Sequence, residues 1–177
     1  MASPTISVLS KKIKFITGEV STGVRFITRP ADGTAYAAND VVSNVTTDDH
    51  YIFPKVPNRG EIVFAQLISS HPTVTNFAMT LWLFYADIAS VADNAAFAAT
   101  DAEMLTCIGR VVFPSGAGSS ASKIGEVTDV GVPFQAAGSG ASTFGNNLYG
   151  QLVADAAYTP LTGEILTCRL GIRGDSY

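Results

Sequence analysis

Apolar side chains in this chain recur at every second residue. Asn76 to Tyr85 (NFAMTLWLFY) is the clearest case: Phe77, Met79, Leu81 and Leu83 fall on one face, and Ala78, Thr80, Trp82 and Phe84 on the other. A period of two belongs to an extended strand, whose successive side chains point to opposite faces of a sheet. The alternation returns in Ile13-Lys14-Phe15, in Val24-Arg25-Phe26-Ile27-Thr28 and in Ile165 to Ile172, where Leu166, Cys168, Leu170 and Ile172 share a face. Glu61 to Ser69 is nearly continuous in apolar residues and is expected to be a strand buried on both faces. Cys107 to Phe113 and Leu148 to Val153 read as further strands. Pro30-Ala31-Asp32-Gly33, Pro57-Asn58-Arg59-Gly60 and Thr159-Pro160-Leu161-Thr162-Gly163 carry turn chemistry, and the last reads as a hairpin loop. Short strands set off by such turns predict an all-β fold, a single β-sandwich of jelly-roll-like type.

One stretch departs from this period. Ala89 to Leu105 is rich in Ala, Asp, Glu and Met, and Thr100 with Glu103 has capping-box spacing. One or two short helices are expected over about residues 89–105, as an excursion across an open end of the sandwich. With 177 residues the chain suits one domain and can bury a full core without disulfides or metals. Residues 1–23 are expected to form an extended N-terminal arm and residues 24–177 the sandwich.

Charged residues make up 15 % of the chain, against a usual share of about 25 %. A surface so poor in ions can be covered by another protein without stripping water from many charges. The net charge of −4 is unevenly spread. Lys11, Lys12, Lys14, Arg25 and Arg29 face Glu19 alone in the first thirty residues, whereas the rest of the chain is acidic. These five cations are the candidate partner-binding residues; an edge strand kept soluble by lysines is the competing reading. Five charges without an aromatic stacking array do not suggest a nucleic-acid site.

The residue types needed for catalysis are sparse. The chain has two histidines, His50 and His71, and no G-x-S-x-G elbow, phosphate-binding loop or dinucleotide fingerprint. Thr47-Asp48-Asp49-His50 holds metal-ligand types without a ligand spacing and reads as a solvated turn. Cys107 and Cys168 lie in apolar runs and read as free buried thiols. No catalytic residue, cofactor or metal is expected, and no signal peptide or membrane-spanning segment is visible. Trp82, Phe84 and Tyr85 could stack on sugars but read as core. The Gly/Ser/Ala-rich stretches at 114–123 and 136–143 read as surface loops.

Four stretches, in order, carry a family resemblance. Thr28-Arg29-Pro30-Ala31-Asp32-Gly33-Thr34-Ala35-Tyr36-Ala37-Ala38-Asn39-Asp40-Val41-Val42 resembles an opening of small virion structural proteins of tailed phages, with Asn39 where Gly is common. Asn tolerates the left-handed backbone such a turn requires. Leu81 to Phe84 followed by Val91-Ala92-Asp93-Asn94-Ala95-Ala96-Phe97, then Leu105 to Val111, then Leu148 to Val153 with Ala157-Tyr158-Thr159-Pro160 and Gly163, resemble that family's later strands and closing hairpin. The resemblance spans about residues 24–172 and includes no active-site signature. It implies a head decoration (cement) protein: a non-enzymatic virion component made in the host cytoplasm, bound to the major capsid protein. Such proteins form homo-oligomers, with a trimer favoured, and no nucleic acid or membrane partner is implied. A receptor- or carbohydrate-binding module of a phage fibre, with Tyr85, Tyr149 or Tyr158 as its platform, is the alternative.

Overall fold

A computed structural model describes residues 19–21, 24–44, 50–73, 77–114, 117–118, 121–135 and 146–174. Its elements run β1 (Glu19–Ser21), β2 (Arg25–Thr28), β3 (Val41–Val42), β4 (Tyr51–Val56), β5 (Arg59–Ser69), β6 (Met79–Phe84), α1 (Asp101–Met104), β7 (Cys107–Phe113), β8 (Ala117–Gly118), β9 (Lys123–Gln135), β10 (Asn146–Ala154) and β11 (Ile165–Gly174). One sheet has the order β1-β11-β5-β9-β8, with β2 also on β11. The other has the order β3-β10-β6-β7, with β4 also on β10. The two antiparallel sheets pack face to face as an all-β sandwich.

Alternation explains the core. Phe77, Met79, Leu81 and Leu83 from one sheet meet Leu166, Cys168, Leu170 and Ile172 from the other, all buried in one cluster. Each large side chain so buried contributes about 1.5–3 kcal/mol. The Tyr51 hydroxyl donates to the Leu166 carbonyl at 2.9 Å and ties β4 to β11 across the sandwich. Burial raises the Tyr51 phenol and the Cys168 thiol well above their ordinary pKa values. Cys107 and Cys168 are both free.

Several expectations need correction. Glu19–Ser21 pairs with Gly171–Arg173, so the sheet begins four residues before the expected arm ends. Of the helical stretch, only Asp101–Met104 is helical. The Thr100–Glu103 capping box is present, but residues 94–97 are drawn out against β3: Val41 N–H donates to the Ala95 carbonyl and Phe97 N–H to the Asn39 carbonyl, both at 2.8 Å. Tertiary pairing overrides helix propensity here. The Thr159–Gly163 loop is not a hairpin, because β10 and β11 lie in different sheets and the loop crosses between them. β5 is not buried on both faces; Val63, Phe64 and Ile68 are half-exposed. Within the 114–123 stretch, Ala117–Gly118 pairs with β9, and residues 136–143 lie outside the described residues.

Candidate functional site

Three of the four resembling stretches meet in one buried polar network. Arg29, directly after β2, is 2 % exposed. Its guanidinium donates to Asp93 Oδ2 at 2.9 Å and to the Tyr36 hydroxyl. Asp93 Oδ1 accepts from the Tyr36 hydroxyl at 2.6 Å and from Ser43 N–H at 2.9 Å. Tyr36 stacks on Tyr158 with ring centroids 5.9 Å apart, and their backbones form a β-bridge. The Tyr158 hydroxyl donates to the buried Glu164 carboxylate, which also accepts from Ser69 Oγ. Burial first, then the hydrogen bond to Asp93, raises the Tyr36 phenol; burial and then Glu164 do the same for Tyr158. Asn39 sits at φ 72°, in the left-handed turn expected from its place in the opening motif. Arg29, expected among the partner-binding cations, is therefore part of an internal clasp with Tyr36 and Asp93.

This placement revises the expected partner residues. Arg29 is inside, and its charge is matched by Asp93. Arg25 is half-buried in register with Cys168, which turns it toward the core side of β2. Lys11, Lys12 and Lys14 lie outside the described residues. Of the three candidate platform tyrosines, Tyr158 is buried, while Tyr85 and Tyr149 are half-buried. His50 Nε2 lies 3.1 Å from Asp87 Oδ1, and its ring tilts on Tyr149; Thr47, Asp48 and Asp49 lie outside the described residues. His71 is a loop histidine whose Nδ1 accepts from Thr73 N–H. Among the described residues no group of three or more His, Cys, Asp or Glu is placed to hold a metal, and no helix is long and apolar enough to cross a membrane.

Among the described residues, the outer face of the six-stranded sheet offers an open surface to a partner. Register sets Phe26, Thr167, Ile68 and Ile124 in one row across β2, β11, β5 and β9. Phe26, Ile124 and neighbouring Ile165 are exposed. The adjoining row is Arg169, Gln66 and Glu126. Beyond it a groove of about 460 Å³ opens where β5, β9 and β11 each slip register. Phe64 forms part of its lining, with Glu61, Thr128, Asp129 and Arg173 around it. Sequence reading missed this surface because β9 was not recognised as a strand. The alternation of Ile124, Glu126 and Thr128 with Gly125 and Val127 was the available signal. Neither a family model nor a curated protein matches the chain.

Proposed function

We propose that this chain is a structural protein of a tailed-phage virion that binds the outer surface of the head shell and stabilises it. It acts by binding, not catalysis; its partner is the major capsid protein, and its place is the head surface after synthesis in the host cytoplasm. The observation that carries this reading is the convergence of three of the four resembling stretches. Arg29, Tyr36, Asp93 and Tyr158 come from stretches far apart in sequence yet touch in one network. Matches that meet in space support one shared architecture better than matches scattered over a surface would. The sparse charge of the chain suits a protein to be covered by protein.

Shell binding is assigned to the basic segment holding Lys11, Lys12 and Lys14, which joins the rigid sheet at Glu19. Many copies on a lattice gain from multivalency even where each contact is weak. Removing residues 1–14 is expected to abolish co-sedimentation with undecorated capsids while the thermal unfolding midpoint holds. Undiminished co-sedimentation of the truncated chain would remove the segment from the mechanism.

The groove favours a second reading, a carbohydrate-binding module. An aromatic floor with carboxylates, a hydroxyl and a guanidinium around it suits a neutral polyhydroxylated ligand better than an ion of either sign. Titration with a glycan panel, read on the amides of residues 128–131, tests it; no shift with any sugar removes it.

A further inference from the structure

We infer that the outer face of the six-stranded sheet binds a second copy of this chain about a two-fold axis running along β5. This goes beyond the shell-binding reading and does not depend on it, and it is two-fold where the resemblance implies clustering in threes.

The argument starts from register. β5 has β11 on one side and β9 on the other. In the charged row, Gln66 of β5 stands between Arg169 of β11 and Glu126 of β9. In the apolar row, Ile68 stands between Thr167 and Ile124. A two-fold axis along β5, lying in the plane of contact, exchanges the two flanking strands and leaves every residue in its row. It therefore sets Arg169 of each copy against Glu126 of the other, while Ile68 meets Ile68 and Thr167 meets Ile124. Moving the axis onto β11 would put Arg169 on Arg169, and moving it onto β9 would put Glu126 on Glu126. Of these three positions, the central axis alone sets opposite charges against each other, as a self-complementary two-fold contact demands.

The charged groups are already held in place. Gln66 donates to Glu126 at 2.9 Å, and the Arg169 guanidinium lies 5.4 Å from the Phe64 ring centroid. Both side chains are exposed, so each can reach across to another protein. A face carrying both signs beside an apolar row does not suit nucleic acid, which needs concentrated positive charge. β11, β5 and β9, about 4.8 Å apart and paired over about nine residues, with the shorter β1, β2 and β8 at their edges, offer roughly 550 Å². That is about two thirds of the ~800 Å² per partner of a standard stable interface, which suits a weak dimer whose population depends on concentration. Two sheets packed face to face sit about 10 Å apart with strands within about 30° of each other, a separation that long side chains such as Arg169 and Glu126 span together.

Sedimentation equilibrium of the full chain, over about 1 μM to 1 mM, tests the inference. A monomer–dimer equilibrium is expected. Arg169→Glu and Glu126→Arg should each raise the dimer Kd at least tenfold, because each single reversal breaks two cross-copy pairs and sets like charges together. The double variant Arg169→Glu with Glu126→Arg should restore dimerisation to within about threefold, since the swapped charges remain complementary. Ile68→Asp should abolish it with an unchanged circular dichroism spectrum. A monomer at every concentration, a three-fold assembly, a dimer indifferent to both reversals, or a double reversal that stays monomeric would each overturn the inference. Capsid co-sedimentation of Arg169→Glu reads the shell-binding proposal separately: binding by that monomeric variant leaves shell binding standing whatever becomes of the dimer.

Discussion

In the middle of the five-stranded sheet, Thr80, Phe84, Gln151 and Val153 alternate with the core residues of β6 and β10 and so point away from the core, yet all are 4 % exposed or less, whereas Ile52 and Val112 on the edge strands β4 and β7 are exposed. On the six-stranded sheet, Phe26, Ile124 and Ile165 also point away from the core, and they are 37 to 61 % exposed. The difference lies in the connections. The long link from β6 to β7 runs back over its own sheet: Phe97 packs on Trp82 with centroids 5.6 Å apart, and Asp40 bridges Ala96. Strand alternation thus settles which side chains face the core. It does not settle which of the others meet water; that is decided by where the loops go, and on the open side by what else binds.

The covered face depends on its clasp, so the largest effect is expected there. Asp93→Ala leaves the buried Arg29 guanidinium with the more exposed Asp32, 3.5 Å away, as its remaining carboxylate, and the loss is expected to approach the ~3–5 kcal/mol of a broken buried pair. Urea unfolding should show the loss, and hydrogen exchange should place it first in residues 85–106 and 36–43. Adding Arg29→Met should recover much of it, because a poorly compensated buried charge no longer remains. If Asp93→Ala alone is neutral, the cover is not held by the clasp.

Next in size is the cover itself. Phe97→Ala removes a half-buried ring and its contact with Trp82. The aromatic pair is worth about 0.5–1.5 kcal/mol beyond the area it buries. A destabilisation of roughly 1–3 kcal/mol is expected, with Trp82 fluorescence shifted toward the solvated range. Ile124→Thr, the matching change on the open face, should alter monomer stability by no more than about 0.5 kcal/mol. Equal costs at the two positions would erase the distinction between the faces.

What the sequence made legible follows the same division. β7, β10 and β11 were readable within a few residues because one side of each meets the core, and the alternation of Leu166, Cys168, Leu170 and Ile172 is that meeting written in sequence. β9 was not, since its core-side positions include Gly125 and a half-buried Val127, its outward ones are Ile124, Glu126 and Thr128, and Pro133 interrupts it. Of the one or two short helices expected over about residues 89–105, one is present at Asp101–Met104, and the rest of the stretch is not helical because Ala-rich composition speaks for local propensity alone. The backbone partners of Ala95 and Phe97 lie more than fifty residues earlier, in β3 and the turn before it. The clasp was visible as a motif but not as a contact: Arg29 looked like surface charge until Asp93, sixty-four positions on, was found beside it.

The smallest effect belongs to the hinge of the cover. Glu103 accepts from Ala89 N–H and Thr100 N–H, both at 2.7 Å, and so ties the two ends of the excursion together. The Ala89 bond first, then those from Thr100, hold its carboxyl below the ordinary Glu value of 4.5. A carboxylate with a depressed folded-state pKa stabilises at pH above its unfolded value and loses that contribution as pH falls through the folded one. The tie is therefore expected to be intact at neutral pH and to weaken below about 4.5, where the protonated carboxyl is the poorer acceptor. The amide shifts of Ala89 and Thr100, followed by NMR from pH 6 to pH 3, should move together with one midpoint below that value, while the amides pairing β5 to β9 stay in place. Glu103→Gln keeps an acceptor of the same shape without the titration and should flatten both curves. Unchanged curves in that variant would mean that another acid governs the excursion, and that the covered face is closed from some point other than its capping box.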